Sequence, residues 1–321
     1  MTEVIILMAC AYTNCCKPVS TQHNIKEVKE FEQMRLNTFA QINNLLIMIK
    51  LICTDVDGTL LNQQREVDAI TREVFSALTG KVEVVLASSR MPKALYHIQK
   101  DLSITHSPVI CYNGALVLKS GDSFSDEKIL FSSTIQTEAL DFITQSALGS
   151  DLHVSLYHNN TWFSSRNDYW TEREINNTKV IPDIIFDGVE KFLLNGMKGA
   201  HKMMLMGEGH KIDEIENKIK GKLKVSLCRA KETYLEITPE FTNKSKGLFL
   251  LIDSLKQFNH IGKEEIMAFG DNHNDFELLN DIKYGIAVGN ATESLKEIAY
   301  SVTKSNEENG VAWYLKEHFK I

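Results

Sequence analysis

The chain has 321 residues, a formal net charge of -7 and a pI near 5.8. That length exceeds the roughly 250–300 residues at which a single core stops growing, so two domains are expected. With 43% hydrophobic and 24% charged residues the composition is that of an ordinary soluble protein, and an acidic chain without a long basic block offers no electrostatic footprint for nucleic acid.

The first 47 residues stand apart. Val4 to Tyr12 is apolar but too short to span a bilayer, and no Lys or Arg precedes it, as a signal peptide would require. Residues 24–47 have the spacing of one amphipathic helix, and Met48-Ile49-Lys50 offers a second start just ahead of the first strong strand. Residues 1–47 are read as a poorly ordered extension, and whether it belongs to the natural product stays open.

From residue 48 strands and helices alternate. Ile49 to Thr54 reads as a buried strand, residues 69–79 as a helix stopped by Gly80, and Val82 to Ala87 as a second strand. Pro92 then opens a helix to about residue 101, a favoured place for proline, and Val109 to Tyr112 is a third strand. Near the other end Ile266 to Phe269 and Gly285 to Val288 are two more, and Asn290-Ala291-Thr292-Glu293 has the pattern of a capping box. This order predicts an α/β core, a Rossmann-like parallel sheet with helices on both faces. The middle differs. Strands at Val154 to Tyr157, Trp162 to Ser164, Lys202 to Met206 and Tyr234 to Ile237 mix with helices at 136–147, 168–176 and 211–220. The expected organisation is a core of 48–131 and 234–321, interrupted by an inserted α+β cap of 132–233 that hinges on two linkers.

Six cysteines, Cys10, Cys15, Cys16, Cys53, Cys111 and Cys228, include no CxxC pair. Zinc and thioredoxin-like sites are therefore not signalled, and a reducing cytoplasm fits. Chemistry gathers where strands end. Asp55-Val56-Asp57-Gly58-Thr59 follows the first strand, Ser88 the second, and Gly270-Asp271-Asn272-His273-Asn274-Asp275 the Ile266–Phe269 strand. Ligands of open α/β sheets bind outside the carboxyl ends of strands, so these clusters are expected to converge. Carboxylates brought together repel unless a cation neutralises them, and hard oxygen ligands without His or Cys favour Mg²⁺. His273 is read as an incidental loop residue. Met203, Met204 and Met206 are read as cap core, while Tyr157, Trp162 and Trp170 are read as packing or as pocket lining.

DVDGT, Ser88, a lysine near 244 and GDNHND resemble, in order, the four motifs of the haloacid dehalogenase-like superfamily. The insertion resembles the cap of its class IIB, Cof-type members. Asn113-Gly114-Ala115, Gly285-Ile286-Ala287-Val288-Gly289-Asn290-Ala291 and Asn309-Gly310-Val311-Ala312 add to that likeness, which covers residues 48–321. The resemblance implies a phosphatase acting on a small phosphorylated metabolite, a sugar phosphate or phosphorylated cofactor, as a monomer or small homo-oligomer. It implies Asp55 as nucleophile, forming an aspartyl-phosphate, and Asp57 as general acid and base. Mg²⁺ would be held by Asp55, Asp271, Asp275 and the backbone carbonyl of Asp57. Ser88, Asn113 and Asn274 would meet the phosphate or substrate, and Arg90 would do so or form a structural ion pair. Spacing from Ile237-Thr238-Pro239 favours Lys244 over Lys246 as the third-motif lysine, whose ammonium would neutralise phosphate and Asp55 charge. Ser89 departs from the family's usual glycine. Phosphoryl transfer to another acceptor, and a silent phosphate-binding protein on the same fold, are the alternatives.

Overall fold

The structure is a computed structural model and describes residues 48–186 and 199–321; the expected extension at 1–47 lies outside the described residues. Its core is an eight-stranded sheet. β1 (Leu51–Thr54) is buried along its whole length, as expected of a strand covered on both faces. It pairs in parallel with β2 (Glu83–Ala87) on one side and with β12 (Ile266–Gly270) on the other. β3 (Val109–Cys111) continues outward from β2, and β13 (Tyr284–Ala287) with β14 (Ser301–Val302) from β12, all in parallel.

The chain turns to β2 on one side of β1 and returns to β12 on the other, which makes the end of β1 the switch point of the sheet. Register then decides what meets there. Thr54 lies level with both Leu86 and Phe269, so Asp55, Ser88 and Asp271 emerge at one rim.

Residues 116–132 hold a part of the sheet that the sequence reading did not assign. β4 (Leu116–Leu118) and β5 (Ile129–Ser132) form an antiparallel extension beyond β3. They are too short for a period to declare itself, and they are fixed by the ladder they join. Helices α1 (Ala69–Leu78), α6 (Lys244–Ser254), α7 (Phe276–Asp281) and α9 (Gly310–Phe319) complete the core. Here α6 packs on β3, β4 and β5, and α1 packs against α9. The predicted helix at Pro92 is a 3₁₀ turn (Pro92–Ala94) followed by α2 (Tyr96–Asp101). The expected capping box before α8 (Glu293–Ile298) does not form. Thr292 is the N-cap without a side-chain bond, and Asn290 instead donates to the Gly58 carbonyl oxygen at 2.8 Å.

The inserted unit is built on a second sheet, in the order β10 (Val225–Lys231), β11 (Tyr234–Pro239), β9 (Lys202–Met206), β6 (His153–His158), β7 (Thr161–Ser164) and β8 (Ile184–Ile185). β11, which a boundary at 233 would put on the core side, pairs with β9 and β10 in this second sheet. Alternation along the strands separates two faces. Leu156, Met203, Leu205, Leu235 and Ile237 form one hydrophobic cluster with α3 (Thr137–Leu148) and α5 (Gly209–Ile219). The opposite face carries Tyr157, Lys202, Met204, Tyr234 and Glu236. Met203 is core as expected, whereas Met204, one residue on, is turned to the other side. α4 (Tyr169–Thr178) is N-capped by Asp168, whose side chain accepts from the Trp170 and Thr171 amides. No helix among the described residues is long and apolar enough to cross a membrane.

Candidate active site

Four predicted residues meet at the rim. Asp55 is 4% exposed and Lys244 fully buried. The Lys244 ammonium lies 2.5 Å from Asp55 Oδ1 and 2.6 Å from Asp275 Oδ1. One carboxylate oxygen from each of Asp55, Asp271 and Asp275 lies within 4.8 Å of the others. Helix geometry separates the two candidate lysines. Residues two apart on a helix point about 200° apart, and Lys246 lies exposed with its amine on the Phe241 carbonyl oxygen. Asn243 caps α6 by accepting from the Lys246 amide at 2.8 Å, which starts the helix where Lys244 points inward.

Each acid has a distinct setting. Asp275 has both oxygens engaged: Oδ2 accepts from the Asp271 and Asn272 amides at 3.0 and 3.2 Å, and Oδ1 from Lys244. It therefore holds the loop and the lysine together. Only glycine fits at 270, because a Cβ there would come within 2.5 Å of the Asp275 Cβ. Asp271 accepts from the Thr59 hydroxyl at 2.9 Å. Burial, and then the neighbouring Asp275, push the Asp271 carboxyl up to about 6. Burial pushes Asp55 well above its usual range, with Lys244 pulling against it and the other two carboxylates adding to it. Burial alone would pull the Lys244 ammonium down, but Asp275 and Asp55 outweigh it and hold the charge. Three crowded carboxylates share one ammonium. Two of them are held above their ordinary values, the three candidate ligands are all carboxylates, and that arrangement suits a hard divalent cation.

Asp57 is turned away from this cluster. The Arg90 guanidinium grips it with two bonds of 2.7 Å, and Arg65 adds a third. Burial pushes its carboxyl up, but Arg90 and then Arg65 outweigh burial and hold it below the usual carboxylate range. Arg90 thus forms the ion pair that the sequence left open. It also donates to the Asn177 carbonyl oxygen of the insert at 3.1 Å. Ser88 is buried, and its hydroxyl oxygen accepts from the Arg90 amide at 3.1 Å. Ser89 keeps a negative φ, so its side chain brings no backbone strain, and its carbonyl oxygen receives the Lys202 ammonium at 2.9 Å.

Asn113 occupies the left-handed region. Its amide donates to Glu236 of the insert at 2.8 Å while its oxygen accepts from Asn274 at 3.1 Å. Asn113 and Asn274 thus sit beside each other, tied to the roof. His273 is exposed. A cavity of about 210 Å³ lies between the polar face of the second sheet and the rim, and reaches Asp57. Tyr157 lines it, and Trp162 stacks behind Tyr157 at 5.8 Å between ring centroids. Arg65, Glu174 and Glu236 were missed by the sequence reading. Their local strings carry no motif, and their role depends wholly on which strand or loop lies opposite.

Comparison with known proteins settles the family. The description of haloacid dehalogenase-like hydrolases matches residues 52–315. The chain belongs to that family. The expected fold and enzyme class are therefore borne out: it is a haloacid dehalogenase-like hydrolase. A Haemophilus influenzae protein is 30% identical over 281 residues, covering 85% of this chain and 99% of its own. The 5-amino-6-(5-phospho-D-ribitylamino)uracil phosphatase YwtE of Bacillus subtilis is 25% identical, with 84% and 98% covered. A solved crystal structure from Thermotoga maritima is 27% identical with a TM-score of 0.72, over 84% of this chain and 97% of its own.

Proposed function

We propose that this hydrolase cleaves the phosphate monoester of a small metabolite by nucleophilic attack of Asp55 on phosphorus. The observation that carries the reading is the buried Lys244 ammonium, 2.5 Å from Asp55, beside the Asp271 carboxylate. It offers a nucleophile, a phosphate counter-charge and a cation site at one strand end.

In the first step an Asp55 oxygen bonds to phosphorus, the ester P–O bond breaks, and Asp57 gives its proton to the departing oxygen. In the second step water attacks phosphorus, Asp57 takes its proton, and the bond to Asp55 breaks to release inorganic phosphate. Mg²⁺ would be held by Asp55, Asp271 and the Asp57 carbonyl oxygen, with Asp275 behind them. Once bound it would screen the charge between nucleophile and phosphate. Lys244 supplies a fixed positive charge against both. Ser88 and Asn274 are assigned to phosphate oxygens, and Asn113 to holding Asn274 and Glu236. With both arginines on it Asp57 is ionised, which is the form the second step needs. The first step needs it protonated, so substrate must displace at least one arginine.

The small cavity under the insert suits a metabolite. The phosphatase name of the Bacillus relative, for a phosphorylated ribityl compound, agrees with that size class. The test is turnover of p-nitrophenyl phosphate with Mg²⁺ by the wild type and by Asp55→Asn. Loss of at least about 10³-fold is expected, the scale on which removal of a covalent nucleophile acts. An Asp55→Asn variant retaining a tenth of the activity refutes the mechanism, and turnover only with an added acceptor would make the reaction a transfer.

A further inference from the structure

The cavity above Asp57 holds more positive charge than the reaction at Asp55 requires. Its lining includes three carboxylates, Asp57, Glu174 and Glu236, and five cations, Arg65, Arg90, Arg173, Lys202 and Lys231. The surplus is local, since the chain as a whole carries -7. Arg65 and Arg90 are committed to Asp57. Lys202 is shared between the Ser89 carbonyl oxygen and Glu236, at 2.9 and 3.6 Å. Arg173 and Lys231 have no carboxylate partner among the described residues.

Arg173 is nonetheless held in place. Its guanidinium lies over the Tyr234 ring at 4.9 Å and the Trp170 ring at 5.9 Å. Stacking occupies the flat face of a guanidinium and leaves its in-plane N–H donors free for a bidentate anion. The half-buried group is thus oriented toward a ligand rather than spent on a structural pair. Neither Asp55 nor Lys244 lines this cavity, so the two spare cations face the leaving group and not the transferred phosphoryl.

We infer that Arg173, assisted by Lys231, binds a second anionic group on the substrate. The substrate class is then a phosphate monoester whose alcohol part itself bears a carboxylate or a second phosphate. This rests on the phosphatase reading and deepens it. An uncharged polyol would leave the stacked guanidinium unpaired.

The experiment compares matched substrates with the full-length protein and Mg²⁺. The pairs are glycerol 3-phosphate with 3-phosphoglycerate, glucose 6-phosphate with 6-phosphogluconate, and fructose 6-phosphate with fructose 1,6-bisphosphate. The first two pairs report a carboxylate and the third a phosphate. In at least one pair kcat/KM favours the more anionic member by about tenfold or more, as one charge-assisted bidentate contact supplies. That preference shrinks as salt rises. Arg173→Gln lowers the ratio about tenfold, mainly through KM, and Arg173→Lys only partly preserves it. Lys231→Gln, at an exposed position, lowers it less. No preference in any pair, or an Arg173→Gln variant that slows both members of every pair alike, overturns the inference. Should Arg173→Gln fail to fold by circular dichroism, the wild-type preference and its salt dependence decide. A wild type inactive even on p-nitrophenyl phosphate sinks the phosphatase reading instead.

Discussion

Lys244→Met removes one charge from the centre of the site and keeps most of the side-chain volume. The lost ammonium is the contact shared by Asp55 at 2.5 Å and Asp275 at 2.6 Å, in a place where lysine and Asp275 have no solvent exposure. Removing one partner of a buried ion pair typically costs about 3–5 kcal/mol, because the other charge is left without compensation. At about 2 °C per kcal/mol for a folded unit of this size, the melting temperature should fall by about 6–10 °C. The sign of the pH dependence follows from the acids left behind. Burial already holds the Asp55 carboxyl above its unfolded value and Lys244 is what pulls against it, so in the variant its stability contribution is full below the unfolded value and is lost as pH rises through the folded one. The gap between variant and wild type should therefore be widest near pH 8, and should narrow toward pH 5 or when Mg²⁺ is added. Differential scanning calorimetry at several pH values measures it. Equal melting at pH 8, or a gap that widens as pH falls, would refute the view that Lys244 neutralises these carboxylates.

Asp271, raised to about 6, makes the chelated wild type lose stability as pH rises through that value. Mg²⁺ should raise the melting temperature more at pH 7.5 than at pH 5, and an equal shift at both contradicts a carboxylate cation site. Arg90→Gln frees Asp57 of its strongest partner. The alkaline limb of the kcat/KM profile, which reports the protonated Asp57 that the first step needs, should move to higher pH, and an unmoved limb separates Arg90 from Asp57 in function. Gly58 has φ +83°, and a Cβ there would meet Asp271 Oδ2 at 2.5 Å. Gly58→Ala should weaken Mg²⁺ activation at least about tenfold, on the scale of a disturbed ligand environment, and a metal titration with unchanged midpoint would count against it. Asp57→Asn should cut kcat about 10²–10⁴-fold, as removal of general acid–base help does, whereas a nearly normal rate would assign that role elsewhere.

Local chemistry was legible in the sequence wherever the chain carries its own signal. The buried apolar run before Asp55 and the strand Lys202–Met206 each declare themselves through hydropathy or β-branching. Each depends on residues within one or two turns of itself. Strand ends bearing Asp55, Ser88 and Asp271 were therefore visible, as was the choice of acids and hydroxyl. What the string leaves open is pairing across large separations. β4 and β5 exist because a ladder receives them. Asn290 abandons a capping box because Gly58, 232 residues away in sequence, offers a carbonyl oxygen. Arg65 and Arg90 close on Asp57 only when the segments after β1 and β2 meet at the rim, and Arg173 stacks on Tyr234 only when α4 lies beside β11. The sequence by itself determined which groups could do chemistry, because side-chain type and strand periodicity are local properties. The tertiary structure alone decided which of those groups meet and which cations stay free, because register and sheet order fix distances that sequence separation does not record.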